Sequence, residues 1–131
     1  MIYFQIPLNI GLLLWPVLVI PLILLALGLG MIFSSLNVKY RDIKYTIPFL
    51  IQFGLFVTPI IYPISILPEK YKIFVALNPM TGIIEAFRSL VIPNKPVDIW
   101  LLLYSVIVSL LVFLLGLVYF RKTEKEFADL V

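Results

Sequence analysis

The sequence predicts an all-α fold. The expected architecture is a multi-pass helical membrane protein with three transmembrane helices and a short amphipathic re-entrant helix hairpin between the second and third. Composition is the first ground. Of 131 residues, 63% are hydrophobic and 13% charged, and mean hydropathy is +1.13. A soluble domain carries roughly 45–50% apolar and about 25% charged residues, and a chain this short cannot bury the excess. The second ground is three charge-free stretches, residues 1–38, 45–68 and 99–120. A helix crosses the hydrocarbon core with about 20 apolar residues, and one charge at mid-membrane costs roughly 2.5–3.5 kcal/mol on insertion scales. The third is residues 68–98, which carry charges and helical spacing but no run long enough to span.

The first stretch exceeds one span and is too short for two with a turn. Gln5, Pro7 and Asn9 break its start, so residues 1–9 are read as interfacial and about 11–36 as the span. Pro16 and Pro21 are expected to bend its first half or set its starting direction. Trp15 suits a membrane interface. Ala26 and Gly30, four apart, form a small-xxx-small pair that permits close helix approach. A signal peptide is disfavoured, because the start lacks positive charge and the apolar run is too long.

The second span is read over about 45–66. Pro48, Pro59 and Pro63 lie in it, with Thr58 before Pro59. Proline near the end of a span unwinds backbone, which lipid tolerates only where protein or water satisfies the freed groups. The region 59–63 is therefore expected to face other helices or a cavity. The third span is read over 99–120. Trp100 and Tyr104 mark one end, Tyr119 and Phe120 the other, and Arg121 and Lys122 stop it; aromatic belts and a basic flank are the usual boundary marks. Residues 121–131 read as a short charged tail.

Residues 68–92 read as two short amphipathic helices. Pro68 suits a first helical position, and Tyr71, Phe74 and Val75 follow at helical spacing. Asn78 and Pro79 read as an N-cap followed by N1. Met80, Ile83, Ile84, Phe87 and Val91 form an apolar stripe. Glu85 and Arg88, three apart on the polar side, can pair. Pro93, Asn94, Lys95 and Pro96 close the unit as a turn. Such a pair lies on the membrane surface or dips into it as a re-entrant hairpin; the Asn-Pro joint and the Glu85–Arg88 pair favour the hairpin.

Charge sets the orientation. Lys39, Arg41 and Lys44 follow the first span, and Arg121, Lys122 and Lys125 follow the third; the other side holds Lys70, Lys72, Arg88 and Lys95. The positive-inside rule puts the larger group, and with it the C-terminus, in the cytoplasm. The N-terminus is then outside, from which a preceding segment is expected.

The absences exclude chemistry. There is no Cys and no His, so disulfides, thiolate or imidazole metal sites and the usual nucleophile–base pairs are out. No cofactor is expected on this chain. The net charge of +3 is too scattered for a nucleic-acid patch. The spans carry no ionisable core residue, which disfavours an ion-driven pump. With no G-x-x-x-x-G-K-[ST] there is no P-loop, and any transport energy must come from another protein. The carboxylates form no acid–base pair, so an enzyme is not expected. The loop N-V-K-Y-R-D-I-K-Y from Asn37 offers Tyr40, Arg41 and Asp42 for docking a cytoplasmic partner; on physics alone, topology-setting charge is the simpler reading.

That loop resembles one in type-2 ABC exporter permeases, the membrane subunits that export polysaccharides such as O-antigen, capsule or teichoic acid. The resemblance continues through T-P-I-I-Y-P from Thr58, L-P-E-K-Y from Leu67 and L-N-P-M-T-G-I-I-E-A-F-R from Leu77. The strings occur in order and are specific as a set. The resemblance covers nearly the whole chain, which looks like the C-terminal half (residues 1–131) of such a permease. It implies an inner-membrane exporter of polysaccharide or lipid-linked glycan, with a second permease copy forming a homodimer. It also implies a separate ATP-binding subunit that binds the ATP, and an N-terminal half missing here if the subunit is split or truncated. It implies that Tyr40, Arg41 and Asp42 lie near the ATPase. Thr58, Pro59, Tyr62 and Pro63 would end the fifth family helix, and Asn78, Pro79, Glu85 and Arg88 would belong to a gate hairpin at the outer mouth. Phe53, Phe56 and Tyr62 would line a sugar path, with core packing as the alternative. Competing expectations are a type-2 permease for a drug or lipid, and a small non-transporting accessory protein.

Overall fold

The computed structural model describes residues 10–129; the interfacial reading of residues 1–9, with Gln5, Pro7 and Asn9, lies outside them. A 3-10 turn at Ile10–Leu14 leads into α1 (Trp15–Lys39). Then come α2 (Ile43–Val57), a 3-10 turn at Ile64–Ile66, α3 (Glu69–Ala76), α4 (Pro79–Val91) and α5 (Ile99–Ala128). The described residues are helical or irregular, with no strand among them. Two helical stretches, Ile10–Lys39 and Ile99–Ala128, are long and apolar enough to cross a membrane, at 30 residues each. At about 1.5 Å per residue each reaches roughly 45 Å.

α1 starts where Pro16 permits it. The proline sits in the first turn, where its missing N–H would have had no helical partner. Pro21 is taken inside the helix and buried. α5 begins under an Asp98 cap, whose carboxylate accepts from the Leu101 amide at 3.1 Å. It does not stop at the basic flank: the segment read as a charged tail continues the helix to Ala128. No Gly or Pro interrupts it there, and the Thr123 hydroxyl turns back onto the Tyr119 carbonyl at 3.0 Å.

α1 and α5 run parallel. Near their starts, Leu14, Val17 and Leu18 wall one cavity with Val97 and Leu102. Midway, Gly28 meets the backbone of Val112 and Phe113. Near their ends, Ser34, Ser35 and Val38 face Phe120, Thr123 and Phe127. The buried stripe on α1 is Leu18, Pro21, Leu25, Gly28 and Ser35. On α5 it is Ser105, Ser109, Gly116 and Thr123. Steps of three, four and seven are those of helices packed in near-parallel register. The α5 hydroxyls are satisfied on their own helix: Ser105 donates to the Leu101 carbonyl at 3.0 Å and Ser109 to the Ser105 carbonyl at 2.6 Å.

The close approach runs through Gly28 and Gly116, not through the small pair expected from spacing. Ala26 and Gly30 are exposed, and a Cβ on Gly30 would meet nothing within 4 Å. Spacing alone could not choose, because Gly28 and Gly30 point to different faces of one helix.

α4 packs antiparallel against the start of α5. Gly82 lies against Leu101 and Ser105, while Ser89 reaches the Pro96 carbonyl at 3.3 Å. Its buried residues are Thr81, Gly82, Ile83 and Ala86. Phe87 meets Trp15 edge to face at 5.7 Å, so α4 also touches the start of α1. α2 differs from every other long helix, with no buried residue at all. Of the second stretch, only the part within α2 (Ile43–Val57) is α-helical. Thr58 is already extended at φ −85° and ψ 127°, because the residue before a proline is pushed out of the α region. Apolar side chains remain exposed over most of the chain, which suits lipid or further helices and not water.

Candidate functional site

Side-chain chemistry converges where α2 ends and the α3–α4 pair begins. The Asn78 carboxamide does two jobs there. Its oxygen accepts from the Met80 amide at 3.0 Å and caps α4. Its nitrogen donates to the Thr58 hydroxyl at 2.9 Å, across 20 residues of sequence. Pro79 follows in the first turn of α4. Thr58 is 7% exposed and Pro59 is fully buried. The joint is tightened by the Thr81 hydroxyl, which donates to the Val75 carbonyl at 2.6 Å. The Tyr104 hydroxyl donates to the Leu77 carbonyl at 2.9 Å. Pro68 departs slightly from expectation: it is the N-cap of α3, with Glu69 taking the first helical position.

The second half of the site is ionic. Arg88 and Glu85 pair at 2.7 Å, as their spacing predicts. The same guanidinium donates to the Tyr62 carbonyl at 3.1 Å and to the Ile60 carbonyl at 2.8 Å. Glu85 presents its other oxygen to the Lys95 ammonium at 2.5 Å. Burial alone would raise the Glu85 carboxyl. The hydrogen bonds from Lys95 and Arg88, with their charges, outweigh that and hold it below the ordinary 4.5. The Tyr62 hydroxyl donates to the Phe56 carbonyl at 2.9 Å, one of the acceptors freed where α2 ends. Pro63 is exposed and precedes the short 3-10 turn.

The structure therefore brings together Thr58, Pro59, Tyr62, Asn78, Pro79, Glu85 and Arg88. It does not bring Tyr40, Arg41 and Asp42 to them. Those three lie in the turn between α1 and α2, at the opposite end of α2, and all are exposed. Tyr40 ends α1 through its backbone amide, bonded to the Leu36 carbonyl at 2.7 Å. Asp42 occupies the N-cap position of α2 without a side-chain cap bond. Beside them Lys44 lies over the Tyr45 ring at 5.0 Å. Phe53 and Phe56 are 60% and 67% exposed, so they are not packed in a core of this chain.

Lys95 was missed by the sequence reading, as were the carbonyl acceptors at positions 60 and 62. Lys95 read as part of a turn. It reaches Glu85 because Asn94 takes a left-handed φ of 61°, which folds the chain back beside α4; asparagine tolerates that conformation better than most residues. The P-N-K-P string was the available signal for the turn, but not for its partner. Among the described residues no group of His, Cys, Asp or Glu could hold a metal ion.

Residues 1–92 match the family model described as "ABC-2 type transporter". The chain is 28% identical over 116 residues to an O-antigen export system permease protein RfbA of Klebsiella pneumoniae, covering 88% of this chain and 44% of that protein. It is 26% identical over 118 residues to the Myxococcus xanthus protein of that name, covering 88% and 45%. To the polysialic acid transport protein KpsM of Escherichia coli it is 27% identical over 104 residues, covering 79% and 40%. The chain thus spans less than half the length of the curated relatives it matches. The matched segment contains the charged turn after α1, the break after α2 and all of α4, and the chain belongs to the ABC-2 type transporter family.

Proposed function

We propose that this chain is a membrane permease component of an ATP-driven exporter that moves polysaccharide or lipid-linked glycan across the cytoplasmic membrane. The observation that carries the reading is the joined cluster of Thr58, Asn78, Glu85 and Arg88. It lies on the strings that resemble glycan-export permeases, in a chain whose relatives are named for O-antigen and polysialic acid export. In this reading α1, the second stretch and α5 are three spans, and α3 and α4 form a re-entrant gate hairpin. Parallel packing of α1 and α5 supports the topology, because it takes Lys39, Arg121, Lys122 and Lys125 to one end and the cluster to the other. The positive-inside rule makes the basic end cytoplasmic. Tyr40, Arg41 and Asp42 then face a separate ATP-binding subunit, which binds and hydrolyses the ATP. A second permease copy and the portion of the relatives beyond the match complete the machine.

The test is export in a strain that lacks its own glycan-export permease and receives this protein together with the remaining permease portion and the cognate ATP-binding subunit. Surface glycan should appear, and Glu85→Ala or Arg88→Ala should abolish it while membrane insertion persists. Normal export by both variants removes the gate role. Affinity purification from native membranes in mild detergent should recover an ATP-binding chain; recovery of the protein alone counts against the exporter. If a drug or lipid is moved instead of glycan, the family stands and the cargo assignment falls.

A further inference from the structure

The geometry points to Arg88 as a clamp, held in shape by Glu85 and by Lys95, that straps residues 58–62 along α4 so that the break after α2 and the hairpin move as one body. Its meaning for transport rests on the exporter reading; the clamp itself is a property of this fold. Pro59 and Pro63 remove two backbone donors and end the helix, which leaves carbonyls that nothing in lipid would satisfy. Arg88 covers two of them, at Ile60 (2.8 Å) and Tyr62 (3.1 Å). Asn78 ties the other end of the strap through Thr58 at 2.9 Å. Between these two anchors the strap is folded into a turn, its Ile60 amide donating to the Thr58 carbonyl at 2.8 Å, so Asn78 and Arg88 hold a compact segment at both ends.

The charge balance explains why a simple ion pair is not the whole device. One carboxylate, its side chain 13% exposed, sits between two cations at 2.7 and 2.5 Å. The trio keeps one surplus positive charge, and the nearest acceptors for it are the strap carbonyls. Lys95 occupies one carboxylate oxygen and leaves the other to Arg88. That fixes the plane of the guanidinium, so its remaining N–H groups face the strap. A planar fork can serve one carboxylate oxygen and two carbonyls together; an ammonium cannot hold them in that geometry. Lys95 is a positioning residue, acting through Glu85 on Arg88.

The chain has no cysteine, so a single introduced thiol reports cleanly. We would place Thr58→Cys at the buried end of the strap (the native residue is 7% exposed) and, in a separate protein, Ser109→Cys in the α1–α5 seam (0% exposed). Labelling by N-ethylmaleimide would be followed in native membranes, comparing variants within one thiol background. Arg88→Gln should speed labelling at position 58 by about tenfold, the effect of one to two lost hydrogen bonds, and leave position 109 slow. The double exchange Glu85→Arg/Arg88→Glu restores an ion pair but no donor at position 88, so labelling should stay fast. Lys95→Met should give a smaller increase, and Lys95→Arg should behave as the parent. Slow labelling in the double exchange overturns the clamp, as does an Arg88→Gln rate within twofold of the parent. If Arg88→Gln also exposes position 109, the fold is lost and the Lys95 pair decides: equal rates for Lys95→Met and Lys95→Arg overturn the proposal. A failure of glycan export with the labelling pattern intact counts against the exporter alone.

Discussion

Gly28→Ala tests the α1–α5 seam most directly. The added Cβ would lie 2.7 Å from the Phe113 nitrogen and 2.8 Å from the Phe113 Cα and Val112 carbonyl carbon. These are backbone atoms and cannot rotate aside. Ordinary carbon contacts lie at about 3.5–4.0 Å, so the helices must part locally by about 1 Å. A gap of that size forfeits roughly a quarter to a half of each contact's attraction, along a seam that buries Leu18, Leu25, Ser105 and Ser109. Overpacking costs about 1–3 kcal/mol, and contact with rigid backbone puts this case in the upper part, about 2–3 kcal/mol. The better helix propensity of alanine returns up to about 1 kcal/mol, leaving a net loss of at least about 1–2 kcal/mol. Gly30→Ala is the matched control: nothing lies within 4 Å of its new Cβ, so only the propensity gain applies. Unfolding of the detergent-solubilised protein, followed by the fluorescence of Trp15 and Trp100, compares the two. If Gly28→Ala is as stable as the parent, or Gly30→Ala loses as much, the packing argument is wrong.

Other positions give separable outcomes. Gly116→Ala places its Cβ 2.5 Å from the Gly28 carbonyl oxygen, so its cost should fall well short of additive with Gly28→Ala in a double-mutant cycle. Gly82→Ala would drive a methyl into the Leu101 backbone and the Ser105 hydroxyl. It should loosen α4 from α5 at a cost of about 1–3 kcal/mol, read as faster proteolysis near Pro93–Pro96 with α5 intact. Asn78→Ala should lose about 1–2 kcal/mol through the cap and the Thr58 bond; Asn78→Asp keeps the cap acceptor but not the donor, and should recover only part of it. Glu85 is held below its ordinary 4.5. Its contribution is therefore fully present above about pH 4.5 and is lost as pH falls through the lower folded-state value. An acid titration of thermal stability should show this loss in the parent and not in Glu85→Gln.

How much of this was legible depended on the kind of signal. Charge-free stretches located both long helices, because exclusion of charge is a one-dimensional property. Asn78–Pro79 as cap and first turn, and Glu85–Arg88 as a pair, were equally local: each is fixed within one turn of helix. The extent of the second helix was overestimated, since an apolar run continues past Thr58 while the backbone cannot follow it through Pro59. The helical tail was missed for the opposite reason, because charge at 121–126 stops a span without stopping a helix. The small-residue seam fell to the wrong glycine, and Lys95 had no local partner to announce it.

By itself, the sequence determined that this chain meets lipid, which segments are apolar enough to span, where prolines break them, and which strings resemble glycan-export permeases. The first three follow from composition and from the order of residues along the chain, and the resemblance rests on the strings themselves. Tertiary structure alone decided which face of α1 meets α5. It also showed that the Thr58 hydroxyl finds Asn78 across 20 residues and that Arg88 reaches past Glu85 to the carbonyls of Ile60 and Tyr62. The physical reason is the same in each case: unsatisfied backbone groups and small side chains have no preference for a partner until packing brings one within a hydrogen-bond length or a van der Waals radius.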